Sequence, residues 1–364
     1  MDKLKQNQLI YVYPSLSSFV KNDISFLSKK FNIITNTYNW KNKFLVPLNL
    51  ISQFVFFLFH LKNSTIVVIS FGGYWSLIPS ILAKIFNKPC YIILNGTDCV
   101  SFPNYNYGSL RKPFLRFFIK YSFKFATKLL PVSEYLIRSD YTYDTSCKYP
   151  KQGFRYFFPN IKTPYEVIYN GFDIEFWDCI NNSNKSNSFI TVASVNSQTT
   201  FKLKGLDKII EMAILLPDCE FTIVGISKEM QNSIKNSPEN VIYFNFLDAE
   251  ELKKMYCKNS FYLQLSISEG FGCALSEAML CGCIPIGSNV GIISDIIGDS
   301  GFVVEKNENP VILNTFIKAI NLTLEERKNK SYIAKNRIIN KFSNELREQK
   351  LLKELENSDL NNNN

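Results

Sequence analysis

Short apolar runs, each ended by a turn and followed by a stretch of helical periodicity, recur along the chain. LIYVYP (9–14) leads through the polar loop SLSS into a helical stretch to Phe31. FNIIT (31–35), a helical segment from about Pro47 to Leu61, and TIVVIS (65–70) follow. After FGGYW a helix runs to about Phe86, and PCYIIL (89–94) leads into Asn95-Gly96. Runs of this kind alternating with helices describe βα units on a parallel sheet. Residues 107–130 read as a further helical stretch, with LLPVS (129–133) and VIYNGF (167–172) as further strands. NNSNKSNS (181–188) has no core-building residue and reads as a linker. The pattern then restarts with the strands FITVASV (189–195), EFTIVG (220–225), NVIYFNFL (240–247) and SFYLQLS (260–266), separated by LDKIIEMAILL (206–216) and the helix around AEELKKMY (249–256). The expectation is an α/β protein of two doubly wound, Rossmann-like domains: 1–178, a linker at 179–188, and 189–340. A C-terminal helix at 341–357 would pack back on the first domain, and the asparagine-rich 358–364 would be a disordered tail. Ligands in such sheets bind at the carboxyl ends of the strands, which places the site in the cleft between the domains.

Composition agrees with this. A chain of 364 residues suits two domains, and 46% hydrophobic with 20% charged residues excludes a disordered protein. The longest apolar stretch, Leu45–Leu61, is interrupted by Pro47, Asn49, Ser52 and Gln53, so no bilayer span is expected, and MDKLKQNQLI lacks the apolar core of a signal peptide. Nine scattered cysteines suggest a reduced, cytoplasmic protein. The net charge of +9 is uneven: residues 1–178 carry 21 Lys and Arg against 10 Asp and Glu, and residues 179–364 carry 20 against 22. The basic half implies an anionic partner, such as a membrane surface, a phosphorylated acceptor or nucleic acid. The sole histidine, His60, lies in QFVFFLFHLK and reads as a packed helix residue, so a histidine-rich metal site is excluded.

The chemistry concentrates in SISEGFGCALSEAMLCGCIPIGSNVGIISDIIGDSGFVV (266–304). Glu269 ends a strand, and Gly270, Phe271 and Gly272 lead into a helix. Glycines there let a ligand approach backbone N–H groups at a helix start, where the dipole favours phosphate. Glu277 lies on the next turns of that helix, and a carboxylate can accept two vicinal hydroxyls at once. Read singly, Glu269 is an acid that complements the helix dipole and Glu277 an ordinary surface glutamate.

Glu269-Gly270-Phe271-Gly272, then Glu277 and AMLCGCIPI (278–286), resemble the signature of retaining family-4 (group 1) glycosyltransferases of the GT-B fold. FKLKGLDKIIEMA (201–213) resembles the family's Lys-Gly phosphate-binding motif, with Lys204 at the lysine, and VIYNGFD (167–173) resembles the end of its first domain. The resemblance covers about 165–305. It implies a nucleotide-sugar donor, with Lys204 neutralising the diphosphate and Glu277 holding the ribose hydroxyls. Glu269, Gly270 and the backbone at Phe271 and Gly272 would meet the transferred sugar. It also implies a hydroxyl acceptor on a glycan or lipid-linked carrier, in bacterial surface polysaccharide biosynthesis. No Asp-x-Asp is present, Asp173-Ile174-Glu175 being the nearest, so no metal or other cofactor is expected.

Several positions depart from the family. An arginine common before the lysine is Gln198 here, and Lys202 is the candidate to replace its charge. Ser15-Leu16-Ser17-Ser18 stands where a Gly-Gly loop is frequent, and Asn95 where a histidine is frequent. Asp98 is a candidate to position an acceptor hydroxyl or, alternatively, to shape its loop through an Asx turn. Gly72-Gly73-Tyr74 is placed to line the same side. Cys273, Cys281 and Cys283 read as small buried residues. YGSLRKPFLRFFIKYSFKFATK (107–128) spaces Arg111, Lys112, Arg116, Lys120, Lys124 and Lys128 along one flank beside Phe114, Phe117, Phe118, Tyr121 and Phe125. Such a helix either packs its aromatics on the sheet or lies on an anionic membrane, on the inner face of the cell membrane. Other GT-B chemistry, a hydrolase or a phosphorylase, is the rival reading. Nucleic acid is set aside because the basic half shows no nucleic-acid-binding motif.

Overall fold

The computed structural model describes residues 7–179, 187–234 and 237–361. Most of the expected linker, 180–186, lies outside them. The first domain carries β1 (Gln8–Val12), α1 (Ser18–Ser28), β2 (Asn32–Asn36), α2 (Val46–His60), β3 (Ser64–Ser70), α3 (Tyr74–Ile85), β4 (Cys90–Leu94), α4 (Pro113–Phe125) and β5 (Lys128–Pro131). Its five strands are parallel in the order β2-β1-β3-β4-β5. A two-stranded pair, β6 (Ser139–Asp140) and β7 (Lys151–Gln152), and the one-turn α5 (Phe154–Phe157) follow.

The second domain runs through β8 (Ser188–Val195), α6 (Gln198–Leu203), α7 (Leu206–Leu215), β9 (Glu220–Ile226), α8 (Lys228–Ser233), β10 (Val241–Phe244), α9 (Ala249–Lys258) and β11 (Phe261–Gln264). It continues with α10 (Cys273–Leu280), β12 (Ile284–Ser288), α11 (Ile293–Ile297), β13 (Phe302–Val304), α12 (Asn309–Ile320), α13 (Leu324–Lys341) and α14 (Asn344–Asn361). Its six parallel strands are ordered β10-β9-β8-β11-β12-β13, so the direction of winding reverses between β8 and β11. Two doubly wound α/β domains are therefore present. The near-continuous burial of β3, β4, β11 and β12 is what helices on both sheet faces require.

Four expectations change. VIYNGF is not a strand: Ile168 N–H bonds the carbonyl of Pro131, but Phe172 N–H turns to the carbonyl of Phe342, so the segment leaves β5 and crosses between domains. The helix expected over 107–130 shrinks to α4, because Gly108 sits at φ +86° and Pro113, which lacks an N–H, fits the first turn of a helix best. No Pro or Gly interrupts ENSDLN, and α14 continues to Asn361 where a tail from 358 was expected. Cys179 and Cys257, 78 residues apart, are joined as a disulfide with Cα atoms 6.0 Å apart, so the cysteines are not all free thiols. Their pairing comes from packing the end of the first domain on α9, which no sequence spacing displays.

α14 returns to the first domain. Arg347 and Asp23 form a bidentate pair at 2.7 and 2.8 Å with both side chains buried. Lys29–Glu348, Lys128–Glu354 and Lys30–Glu356 pair along the same helix.

Candidate active site

Glu269 lies beyond β11, at the point where the winding of the second sheet reverses. Such a crevice between strands running to opposite sides is where open α/β sheets bind ligands. Gly205 brings Lys204 there. It sits at φ +68°, and a Cβ on it would lie 2.1 Å from the carbonyl oxygen of Leu265, so only glycine lets the α6–α7 turn press against the end of β11. Ile267 N–H donates to the carbonyl of Leu203 at 2.8 Å across the same contact. Lys204 Nζ consequently reaches Glu269 Oε1 at 2.5 Å, and Gln264 Nε2 donates to the same oxygen at 2.9 Å. Both members of the pair keep some solvent contact.

Gly270 brings the two domains together. A Cβ there would lie 2.0 Å from the carbonyl oxygen of Asn95, and one on Gly96, at φ +131°, would lie 2.9 Å from the Gly270 Cα. Ser133 Oγ donates to the carbonyl of Gly270 at 3.3 Å, and Tyr141 Oη to that of Ile267 at 2.9 Å. Phe271 is buried against Phe172, Phe342 and Tyr169, so its side chain fastens the motif to the crossing segment and its backbone is what remains for a ligand. Gly272, at φ +96°, caps α10, whose first-turn N–H groups lack partners within the helix. A small pocket between Tyr141, Gln152 and Tyr135 of the first domain and Ser268, Glu269 and Gly291 of the second opens beside Glu269.

Glu277 has no hydrogen-bond or ion-pair partner among the described residues, and burial pushes its carboxyl up to about 8. A carboxyl buried in this way is available to a pair of hydroxyl donors. The sign of its effect on stability is fixed: the folded value lies above the unfolded one, so stability is lost as pH rises from about 4.5 through 8. Glu277→Gln is therefore expected to melt roughly 5 °C above the wild type at pH 9 and to match it at pH 4. Calorimetry at the two pH values checks this, and equal melting at pH 9 would mean that Glu277 is solvated.

Asp98 is fully buried. Its two oxygens accept the N–H groups of Gly72, at 2.9 Å, and Gly96, at 3.1 Å. Burial raises its pKa to about 6 against these bonds. Of the two roles expected for it, the structure displays the loop-shaping one: it ties the β3–α3 turn to the β4 turn that meets Gly270, and it presents no open face to the cleft. Lys202 lies in the last turn of α6, exposed, and makes no ion pair among the described residues. Three residues escape sequence reading. Gln264 is a polar residue inside the apolar run SFYLQLS, five positions before Glu269, and that mismatch was a usable signal. Gly291 would place a Cβ 2.4 Å from the carbonyl of Glu269. Tyr107 sits near enough to Glu269 and Asp98 for their charges, after burial, to raise its pKa, and no sequence signal marks it. The cysteines group differently from their spacing. The Cys281 sulfur lies with those of Cys179 and Cys257, all within 4.8 Å of one another, while Cys283 donates to the carbonyls of Tyr256 and Asn259.

Two doubly wound, Rossmann-like domains facing one another form the GT-B architecture. Residues 179–337 match the model of the glycosyl transferases group 1 family. Sucrose-phosphate synthase from Thermosynechococcus elongatus superposes with a TM-score of 0.74 at 12% identity, over 95% of this chain and 98% of that one. The Anabaena protein HepE, solved with UDP and glucose, gives 0.70 at 14% identity, over 96% and 100%. In sequence, an uncharacterized glycosyltransferase of Methanocaldococcus jannaschii is 26% identical over 248 residues, 66% of this chain. The chain spans 61% of that relative's length. O-antigen chain mannosyltransferase B of Escherichia coli is 33% identical over 66 residues, 18% of this chain and 17% of that protein.

Proposed function

We propose that this protein is a retaining, metal-independent glycosyltransferase. It would move a sugar from a nucleotide-sugar donor to a hydroxyl of a glycan or lipid-linked acceptor, in the assembly of a bacterial surface polysaccharide. The observation that carries the reading is the Lys204–Glu269 pair at the strand switch point, with the partnerless Glu277 on the adjoining helix. As the glycosidic bond breaks, negative charge gathers on the departing diphosphate. The ammonium of Lys204 and the first-turn N–H groups of α10 are the groups that meet it, without a divalent ion. Glu277 accepts the two ribose hydroxyls, and two such donors favour its carboxylate form against the desolvation that raises its pKa. Glu269, held by Lys204 and Gln264, faces the space where the first domain would present an acceptor. The name of the Escherichia coli relative, an O-antigen chain mannosyltransferase, supports the polysaccharide setting. The basic first domain supports an anionic membrane surface as a partner, which on this reading is the inner face of the cell membrane.

Turnover with a panel of nucleotide sugars is expected to survive EDTA and to give a product with the donor's anomeric configuration by NMR. Inversion, or release of free sugar to water with no acceptor product, would overturn the assignment.

A further inference from the structure

Between Asp23 and Glu134 the chain holds one acidic residue, the buried Asp98, against thirteen lysines and arginines. The same span holds the most exposed apolar surface of the first domain. On α2 only Val46, Gln53 and Phe57 are buried, which makes one narrow seam against the domain. At about 100° per residue, Leu48, Ile51, Val55, Leu58 and Phe59 fall within roughly 100° of arc nearly opposite that seam, and Phe44 stands in the tight turn just before the helix. Phe44 is 92% exposed, Phe59 74% and Ile51 63%. A helix on the surface of a water-soluble domain carries polar residues on that face.

We propose that this outer face of α2 is a membrane-docking surface that inserts into the interface of a bilayer rich in anionic lipid. The proposal deepens the membrane part of the reading above and rests on it, but it is independent of the transfer chemistry. Lys41, Lys43 and Lys62 flank the apolar face at its two ends, and α3 packs between α2 and α4. On α4, Phe114 and Phe117 are exposed beside Lys112, Lys120 and Lys124, whereas Phe118 is buried and Lys128 is paired with Glu354. The membrane face expected on α4 is therefore its exposed half only, and α2 supplies the larger apolar part. Lys112 lies close enough to Lys43 to be affected by its charge. That places the starts of α2 and α4 together, at the cleft end, since α4 begins after the β4 turn that meets Gly270. A lipid-borne acceptor would then enter the cleft from the surface to which the domain is bound.

Charge selects the bilayer over a second copy of the chain, because a twofold contact through this face would bring Lys41, Lys43 and Lys62 toward their own copies, and the one carboxylate between Asp23 and Glu134, Asp98, is buried. The run Lys43–Asn63 is also long and apolar enough to cross a bilayer, with a mean hydropathy of 1.8. Its buried seam, in which Gln53 Nε2 donates to Asn36 Oδ1 at 2.9 Å and to the Trp75 carbonyl at 3.1 Å, holds it along the domain instead.

The test is co-sedimentation of the full chain with phosphatidylglycerol-containing and pure phosphatidylcholine vesicles. The wild type is expected to pellet with the anionic vesicles at low salt and to be released at high salt or with the neutral ones. The variant Leu48→Ser, Ile51→Ser, Phe59→Ser should partition roughly 100-fold more weakly while keeping its melting temperature. Phe59→Trp should fluoresce further to the blue on binding and be quenched by brominated lipid, a readout that does not depend on the triple variant folding. A wild type that stays in the supernatant overturns both the docking surface and the membrane reading. Pelleting unaffected by the α2 changes but abolished by Lys112→Glu, Lys120→Glu, Lys124→Glu overturns the α2 assignment and leaves membrane binding standing. A dimer by light scattering that the α2 changes dissolve assigns the face to self-association and also overturns it. Turnover on a short water-soluble acceptor reports the transfer chemistry separately.

Discussion

Lys204→Ala is expected to cut turnover roughly 10²–10³-fold and to weaken binding of nucleoside diphosphates, the scale of loss when one preorganised donor is removed from a developing anion. Glu269→Gln should cut turnover by a comparable factor and do the opposite to binding. The ammonium sits 2.5 Å from the carboxylate, so a bound diphosphate has to share it with Glu269. Removing the carboxylate's charge frees the lysine and removes a repulsion, so nucleoside-diphosphate affinity should hold or rise while the reaction fails. The double variant should be no slower than the worse single one, because residues that act as a unit do not add. Calorimetric titration with UDP and GDP alongside turnover separates these outcomes. Weaker diphosphate binding in Glu269→Gln would place Glu269 on the phosphates and sink the assignment of the pair. Melting temperature should move less in either variant than turnover does, since both groups keep some solvent contact that screens the pair.

How far the site was legible follows from the range of the forces that build it. Glu269, Gly270, Gly272, Glu277 and the Lys204-Gly205 turn are local: a strand end, a positive-φ glycine and a helix start leave residue types at fixed offsets. What those offsets could not reveal is contact across the cleft. That Gly270 is needed because Asn95 and Gly96 of the other domain press on its Cα is a tertiary fact. So is the burial of Asp98, whose polar neighbours Asn95 and Thr97 make an open loop and a tied loop look alike. The same limit explains VIYNGF: its apolar residues are buried as a strand's would be, but its N–H groups are divided between β5 and Phe342. On α2, periodicity marked the helix but not that the domain takes only one seam of it, at Val46, Gln53 and Phe57.

The largest effect on stability is expected at Arg347. Its guanidinium donates twice to Asp23 on α1 and, through Nη1, to the carbonyls of Ile168 and Tyr169 at 3.1 and 2.8 Å, while Tyr11 Oη donates to the same carboxylate at 3.2 Å. α14, α1, β1 and the segment crossing between domains therefore meet at one buried charge pair. Gly171 makes room for it, since a Cβ there would lie 2.8 Å from the Cα of Asn344. Arg347→Met removes the cation and strands a carboxylate that water cannot reach, which costs about 3–5 kcal/mol. Arg347→Met with Asp23→Asn should recover part of that loss, because the remaining group is neutral. Lys30→Ala, on a pair along the same helix whose side chains are both about half exposed, should change stability by less than about 1 kcal/mol. The crossing segment carries Phe172 onto Phe271, so loosening Arg347 should also separate the unfolding of the two domains. Urea titrations followed by tryptophan fluorescence, which sees Trp40 and Trp75 in one domain and Trp177 beside α9 of the other, should then show two transitions where the wild type shows one. If Arg347→Met costs no more than Lys30→Ala, the C-terminal helix is held by its apolar residues Leu351, Leu352 and Leu355, and the charge pair serves only to set its register.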